Sequence, residues 1–156
     1  MKFDLLDKMM REYEKNSDEY PPEGGFLIVR LDGRGFTRHT KETDNYEIPF
    51  DIRFHKHMLS TAEHLMNCGF NFIYGYTQSD EISLLFSPDD TAYGHKLRKL
   101  ISVTAGEASA CFALLTQTLV SFDSRIIHLP DKEAVKNYFS WRQEDCRRNA
   151  IDAHCY

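Results

Sequence analysis

The sequence predicts an α+β fold of the split βαβ, or ferredoxin-like, type: an antiparallel sheet with helices packed mainly on one face. Three observations predict it. The length of 156 residues suits one domain with a real core. Segments of helix and strand character follow the order helix, strand, helix, strand, strand, helix, strand, helix, whose central six elements match the split βαβ pattern. Two of the strands are separated only by a tight turn. We therefore expect a single domain over residues 1–156.

The first half of the chain predicts a helix, a strand and a second helix. Apolar residues recur at helical spacing over residues 3–13, before a loop rich in Pro and Gly. Residues 26–31 are almost continuously apolar, as in a strand buried on both faces. Pro49 precedes a helical pattern for which Asp51 is the predicted N-cap, and Gly69 stands where that helix would end.

A β-hairpin is predicted in the middle of the chain. Residues 70–76 are rich in aromatic side chains, residues 82–86 are mostly apolar, and both segments have strand character. Residues 78–80 form the predicted turn between them. In the split βαβ topology the third strand lies between the first two and runs opposite to both. The hairpin tip should therefore lie beside the end of the first strand.

The remainder of the chain predicts a long helix, a short strand and a closing helix. Apolar side chains recur with the helical period over residues 93–115. The middle of this segment consists of small residues, which would let the helix lie close against a sheet. Residues 125–129 have strand character, and Asp131 is the predicted N-cap of the last helix.

Two short acidic segments, residues 31–34 and 78–81, each adjoin a predicted strand. The predicted topology brings Asp32 beside Asp80 and Glu81. Mg²⁺ prefers oxygen ligands and needs only one or two carboxylates besides substrate phosphates. Pairs of such ions serve phosphoryl transfer, so the pattern indicates a magnesium site for nucleotide chemistry. An Asp-Gly turn and a polar hairpin tip are also common structural features, and the residues alone leave that simpler interpretation open.

Several basic residues could assist such a site, although a solvated surface explains each of them equally simply. Arg34 and three residues of the following loop could contact phosphates; the three are Arg38, His39 and Lys41. Lys96, Arg98 and Lys99 could form an edge that binds a triphosphate. Arg142 and the adjacent Trp141 could serve stacking or phosphate contact.

Charge and cysteine usage disfavour several classes of protein. A net charge of -5 argues against binding of nucleic acid by bulk electrostatics. The four cysteines include no CxxC pair, so neither a zinc ribbon nor a disulfide scaffold is indicated. No apolar run approaches the roughly 20 residues that cross a bilayer, and the start lacks the apolar core of a secretion signal. We expect a cytoplasmic protein without a membrane partner.

Four sequence blocks occur in an informative order. They read Val-Arg-Leu-Asp-Gly-Arg-Gly-Phe at 29–36, Tyr-Gly-Tyr-Thr-Gln-Ser-Asp-Glu-Ile-Ser at 74–83, Phe-Asp-Ser-Arg at 122–125 and Tyr-Phe-Ser-Trp-Arg-Gln-Glu-Asp-Cys at 138–146. These blocks resemble successive motifs of the tRNA-histidine guanylyltransferase superfamily, which includes the Thg1-like proteins of bacteria and archaea. The resemblance implies a polymerase-palm domain that adds nucleotides to the 5′ end of tRNA in the 3′-to-5′ direction.

The resemblance also implies roles for individual residues. Asp32, the Gly33 carbonyl and Asp80 would hold two Mg²⁺ ions, and Glu81 would support this catalytic site. The nucleotide, GTP or ATP, would be lined by Asp32, Gly33, Arg34, Gly35, Phe36 and Thr37 together with Ser79 and Asp80. Lys96 and Lys99 match basic positions that hold the triphosphate.

Departures from the family pattern refine the expected substrate. Residues 147–150 read Arg-Arg-Asn-Ala after Cys146, where the eukaryotic enzymes have His-Ile-Asn-Asn, and Ile48 stands where those enzymes align a lysine. Both departures favour a Thg1-like polymerase that repairs 5′-truncated tRNA over dedicated guanylate addition to tRNA-histidine. Family members normally continue well past the last block, so we expect a C-terminal part to be missing. The expected partners are tRNA, nucleoside triphosphates and further copies of the chain, as a dimer or tetramer.

Two other functions fit a split βαβ domain. A GGDEF-like palm enzyme condenses nucleotides, although the hairpin here reads Gln-Ser-Asp-Glu rather than Gly-Gly-Asp-Glu. An RNA-binding module stacks bases on exposed sheet aromatics, and the alternating residues Phe70, Phe72, Tyr74 and Tyr76 are candidates for that role. Packing of the same aromatics in the core beneath the helices is the simpler explanation.

Overall fold

The structure is a computed structural model that describes residues 3–15, 18–36, 46–47 and 50–155. Several residues with predicted roles lie outside these ranges: Thr37, Arg38, His39, Lys41 and Ile48.

Four strands form one antiparallel sheet in the order β2, β3, β1, β4. Their bounds are Phe26–Gly33 for β1, Phe72–Gln78 for β2, Glu81–Phe86 for β3 and Phe122–Leu129 for β4. Strand β3 pairs antiparallel with both β1 and β2, so the predicted split βαβ topology is confirmed. Strand β4 begins earlier than predicted because Phe122, Asp123 and Ser124 pair with the end of β1.

Within the residues that the structure describes, four α-helices of more than two turns accompany the sheet: α1 (Phe3–Lys15), α2 (Ile52–Met66), α3 (Leu97–Thr116) and α4 (Lys132–His154). Helix α3 begins at Leu97 rather than near Tyr93. Tyr93, Gly94 and His95 have φ angles of 52°, 57° and 57°, and left-handed backbone of this kind cannot continue into a right-handed helix. The predicted N-caps are confirmed, since Asp51 accepts hydrogen bonds from the backbone of α2 and Asp131 from that of α4.

Helices α2 and α3 cover one face of the sheet, and the main core lies between the two layers. Alternate residues of the central strands point into this core, among them Val29, Leu31, Ile82 and Leu84. Helix α3 contributes Leu100, Ala108 and Phe112. By length and composition α3 could cross a membrane, contrary to the sequence-based expectation, but a packed core helix meets the same criterion. Its apolar face is already buried against the sheet.

Helix α4 lies on the opposite face of the sheet. Tyr138 packs there with Ile28 and Leu85, and Phe139 is partly buried beside them. The side chains of Asp32 and Glu81 belong to this same face, because they alternate with the core residues Leu31 and Ile82 along their strands. The face not covered by α2 and α3 therefore carries the predicted site.

A β-bulge in β2 divides its aromatic residues between the two faces. Phe72 pairs with Phe86, whereas Tyr74 pairs with Leu85, so one extra residue, Ile73, lies between the two pairs. Phe72 is consequently buried in the core, while Tyr74 is turned to the opposite face and is 48% exposed. The expected alternation of Phe70, Phe72, Tyr74 and Tyr76 on a single face is wrong for this reason.

Candidate active site at the hairpin tip

The turn between β2 and β3 is attached directly to the end of β1. The Gly33 N–H donates a hydrogen bond of 3.0 Å to the Asp80 carbonyl. Asp32 lies opposite Glu81 in the pairing of β1 with β3. Residues separated by almost fifty positions in sequence thus form one acidic site, as the predicted topology requires.

Asp80 lies in an environment that disfavours its negative charge. Burial raises the pKa of its carboxyl group, and the negative charge of Asp32 raises it further, while a hydrogen bond from Ser79 acts in the opposite direction. Ser79 itself has a φ of 47°, a left-handed conformation that costs a non-glycine residue about 1 kcal/mol. The hairpin tip therefore concentrates negative charge and backbone strain at one place, as functional sites often do.

The segment after Asp32 turns sharply because of two glycines and a buried ring. The Phe36 side chain is in the core, against Phe112 and Phe122. A Cβ atom on Gly33 would collide with that ring, and Gly35 has a left-handed φ of 71°. The prediction that Phe36 lines a nucleotide must be corrected: its side chain is unavailable, and only its backbone can face a ligand.

Glu81 is held by two arginines from different elements. Its carboxylate lies 2.5 Å from an Nη atom of Arg30 on β1 and 3.0 Å from an Nη atom of Arg142 on α4. The Glu81 side chain is only 8% exposed. Because both cations already engage this carboxylate, Glu81 is suited to organise the site rather than to bind a metal directly, in agreement with its predicted supporting role.

Arg30 also connects Glu81 to the neighbouring acid. Its guanidinium lies 3.7 Å from the Asp32 carboxylate. Sequence reasoning did not identify Arg30, although a charged residue within an otherwise apolar strand is a signal that a partner exists in the fold. The partners of Arg142, namely Glu81 and Asp145, could not be derived from local sequence either.

Lys96 and Lys99 lie at the other end of the domain. Thr104 of α3 contacts Ser124 at 2.9 Å, and Ser109 accepts a hydrogen bond from the N–H of Phe122, so α3 runs antiparallel to β4. The start of α3 is consequently near the Phe26 end of β1, roughly 20 Å from Asp32. Lys96 pairs with Asp18 at 2.8 Å. The structure does not bring these lysines to the acidic site of the same chain.

The donor atoms at the hairpin tip suit a hard divalent cation. Asp32 and Asp80 offer two carboxylates, and Gly33, which directly follows Asp32 and donates a hydrogen bond to the Asp80 carbonyl, offers a backbone carbonyl. Within the part of the chain that the structure describes, no group of three or more His, Cys, Asp or Glu side chains is arranged to hold a metal. A site of two carboxylates and backbone oxygen fits Mg²⁺, which retains several waters, better than it fits zinc.

Comparison with known proteins identifies the family. A family model described as Thg1, tRNAHis guanylyltransferase, matches residues 7–130. The chain belongs to this family. Three of the four sequence blocks, at 29–36, 74–83 and 122–125, lie within the matched residues, and the suspected resemblance is confirmed.

Individual relatives of this Thg1 family chain support the same family assignment. It is 30% identical to the tRNA(His) guanylyltransferase of Schizosaccharomyces pombe over 150 residues, which cover 91% of this chain and 56% of that protein. It is 32% identical to an uncharacterised protein, R259, of Acanthamoeba polyphaga mimivirus, covering 96% of this chain and 61% of the viral protein. The chain thus spans little more than half the length of these relatives.

Solved structures of the family superpose closely on this Thg1 family chain. A bacterial Thg1-like protein in complex with GTP gives a TM-score of 0.88 at 32% identity, covering 97% of this chain and 70% of the other. A bacterial Thg1-like protein in complex with ATP gives a TM-score of 0.85 at 32% identity, covering 95% of this chain and 68% of the other. The Saccharomyces cerevisiae enzyme, at 24% identity over 87% and 63% of the two chains, gives 0.79 and supports the fold.

Proposed function

We propose that this chain is the catalytic part of a magnesium-dependent nucleotidyltransferase that adds nucleotides to the 5′ end of tRNA in the 3′-to-5′ direction. The observation that carries the proposal is the junction of Asp32 and Asp80 at the hairpin tip, on a domain of the Thg1 family. Two carboxylates beside a backbone carbonyl form the minimal arrangement for phosphoryl-transfer metals.

In this proposal each residue of the site has a defined task. Asp32, Asp80 and the Gly33 carbonyl hold two magnesium ions. When bound, the ions would neutralise charge on the phosphoryl group and favour ionisation of the attacking hydroxyl. Arg30 and Arg142 balance the charge of Glu81, which keeps that side chain from competing for the metal. The acidic pair stays fixed because the Gly33 to Asp80 hydrogen bond joins β1 to the turn.

The reaction would join the incoming nucleotide to the RNA through its 3′-hydroxyl. That oxygen attacks the α-phosphorus of the 5′-triphosphate on the RNA, a new phosphodiester bond forms, and pyrophosphate leaves. A 5′-monophosphorylated end would first be activated with ATP or GTP, which transfers a nucleotidyl group to the 5′-phosphate and releases pyrophosphate. In that case the nucleoside monophosphate, rather than pyrophosphate, leaves when the 3′-hydroxyl attacks. Binding of GTP and of ATP by the related bacterial proteins supports the assignment of these two nucleotides as substrates.

The backbone between Asp32 and Phe36 is the proposed nucleotide-binding segment. Its sharp turn requires the left-handed Gly35, and the exposed Arg34 side chain is free to approach phosphates. The Arg34 N–H is already committed to the Ser121 carbonyl at 2.8 Å, which fixes the turn. The segment from Asp32 to Phe36 would therefore bind phosphates without first becoming ordered, which lowers the entropy lost on binding.

The proposed substrate is a tRNA that lacks its first nucleotides, as the residues after Cys146 suggest. The chain should add the templated nucleotide to any such tRNA, and it should show no preference for a tRNA-histidine that needs one extra guanylate. We further propose self-association as a dimer or tetramer, which the family resemblance supports and which sedimentation velocity would measure.

The decisive experiment measures addition of labelled GTP to a 5′-triphosphorylated tRNA that lacks its first nucleotide. We expect activity that requires magnesium, and a loss of at least about a hundredfold in Asp32→Asn and Asp80→Asn. The matched control is Asp89→Asn, which changes an exposed acid in the loop after β3. Full activity in the Asp80 variant would show that the metal role is wrong.

A further inference from the structure

The side chain of Trp141 is not explained by the proposed function. It is the single tryptophan of the chain, and it is 54% exposed on helix α4. Tryptophan side chains are highly buried on average because of their large apolar area. An exposed indole next to a catalytic site therefore requires a reason.

The indole is held rigidly on one of its faces. The guanidinium carbon of Arg142 lies 3.7 Å from the ring centroid, a close cation–π contact. The ring of Tyr138 meets the indole edge-on, with centroids 5.9 Å apart. Arg142 cannot shift easily, because it is 3% exposed and is bound to both Glu81 and Asp145. One face of the indole is thus fixed, and the other is open.

The position of the indole is close to the reacting groups. Through Arg142, the centroid of Trp141 lies within about 8 Å of the Glu81 carboxylate, and Glu81 is directly opposite Asp32. Phe139 packs on Tyr74 of β2. Trp141 is about 200° further round the helix, so it lies on the flank of α4 that faces away from β2.

We propose that the open face of Trp141 stacks on a nucleobase of the ligand whose phosphates are held at Asp32 and Asp80. This deepens the proposed function and rests on it for the class of ligand. A planar aromatic surface accepts any base, and its fixed orientation reduces the entropy lost on binding. Arg148, seven residues later, lies on the same side of α4 and is exposed, where a neighbouring phosphate could pair with it.

Shielding of Arg142 is the competing explanation for this tryptophan. The indole does cover the guanidinium, and this contact accounts for the occupied face. It does not account for the large exposed area on the other side. A leucine or phenylalanine would exclude water from Arg142 with less exposed surface, so shielding alone is an incomplete explanation.

Intrinsic fluorescence tests the proposal directly, because the chain has one tryptophan. The wild-type protein is titrated with GTP, with a single-stranded 5′-phosphorylated tetranucleotide, and with inorganic tripolyphosphate, all in magnesium. We expect saturable quenching by one or both of the base-carrying probes and none by tripolyphosphate. The probe that quenches identifies whether the base belongs to a free nucleotide or to an RNA strand. Absence of quenching by both, or equal quenching by tripolyphosphate, overturns the proposal.

Two variants separate stacking from a structural role. Trp141→Leu should weaken equilibrium binding of the quenching probe about tenfold, whereas Trp141→Phe should keep most of the affinity. Tripolyphosphate binding, measured by calorimetry, should be unchanged in both. Equal affinity of the leucine variant and the wild type would also overturn the proposal. Nucleotide transfer without quenching contradicts only this inference, while quenching without transfer contradicts only the proposed reaction.

Discussion

Arg142 donates a hydrogen bond of 3.0 Å to the carboxylate of Glu81, a residue 61 positions earlier in the chain, and both side chains are buried. This contact joins the last helix to the strand that carries the acidic site. Buried ion pairs are costly to break, because removal of one partner leaves the other as an isolated charge in a poorly solvated place.

Replacement of the carboxylate by an amide, Glu81→Gln, should lower the free energy of unfolding by about 2 to 4 kcal/mol. Two guanidinium groups would lose their shared counter-charge, although Asp32 and Asp145 would compensate in part. Urea denaturation followed by circular dichroism measures the change. Arg142→Gln should lower the free energy of unfolding less in the Glu81→Gln background than in the wild type. A double-mutant cycle of the two changes should therefore give a clear coupling energy. Strict additivity of the two changes would contradict the pairing.

Asp80→Asn should raise the stability of the metal-free protein while it removes activity. Burial and the charge of Asp32 raise the pKa of Asp80 in the folded state above its unfolded value. Ionised Asp80 therefore opposes folding at neutral pH, and the penalty disappears as the pH falls below the folded pKa. A neutral amide relieves it at all pH values, so thermal unfolding at pH 7 should occur a few degrees higher.

Added magnesium provides the control for this prediction. The ion should raise the melting temperature of the wild type, because binding to the folded state alone stabilises it. The Asp80→Asn variant should respond much less. An equal response of the two proteins to magnesium would mean that the ion binds elsewhere.

Gly33→Ala should destabilise the fold by about 1 to 3 kcal/mol, since the new methyl group would collide with the buried Phe36 ring. The ring is enclosed by Phe112 and Phe122 and has little space to move. Chemical denaturation compares this variant with Gly106→Ala, where no atom lies within 4 Å of the added Cβ. The helical variant should be unchanged or more stable, by up to about 1 kcal/mol. Similar stabilities for the two variants would contradict the steric argument.

Asp51→Ala should lower the melting temperature by a few degrees at neutral pH. The Arg53 side chain hydrogen-bonds to this carboxylate and, with backbone N–H groups, holds its pKa well below the usual range. A lowered folded pKa means that the ionised carboxylate stabilises the fold above the unfolded pKa, about 3.9. The stabilisation is lost as the pH falls from there through the folded pKa. The melting temperatures of variant and wild type, measured from pH 7 to pH 2, should therefore converge in acid.

The topology was predictable because the periodicity of apolar residues reveals each helix or strand, and turn residues reveal the hairpin. The apolar strand at 26–31 and the hairpin around residues 78–80 were sufficient to place Asp32 beside Asp80. The bulge at Ile73 was not predictable, because an aromatic strand with one extra residue has the same composition as one without. The length of β4 was underestimated because residues in its first part such as Asp123 lack the apolar side chains that mark a strand in sequence. Asp123 nevertheless pairs with Asp32 through the backbone.

The chemistry of the site was predictable only for its acids. Their carboxylates belong to recognisable sequence blocks, whereas the partners of Glu81 come from β1 and α4 and depend on how the helix docks. The burial of the Phe36 side chain was not predictable, because an aromatic side chain after a glycine turn can point either to solvent or inward. Packing against Phe112 determines the direction of the side chain. The spacing of residues along the sequence does not reveal such packing.

The extra residue in β2 determines which side of the sheet every later residue of that strand serves. Successive side chains along a strand point to opposite faces of the sheet. The extra residue Ile73 shifts this alternation by one position between Phe72 and Tyr74. Upstream of the shift the strand belongs to the hydrophobic interior; downstream, Tyr74 and Tyr76 belong to the face that carries Glu81. Regular pairing without the bulge would place Phe72, Tyr74 and Tyr76 on one face, so that either the phenylalanine would leave the core or the two tyrosines would leave the face that carries Glu81.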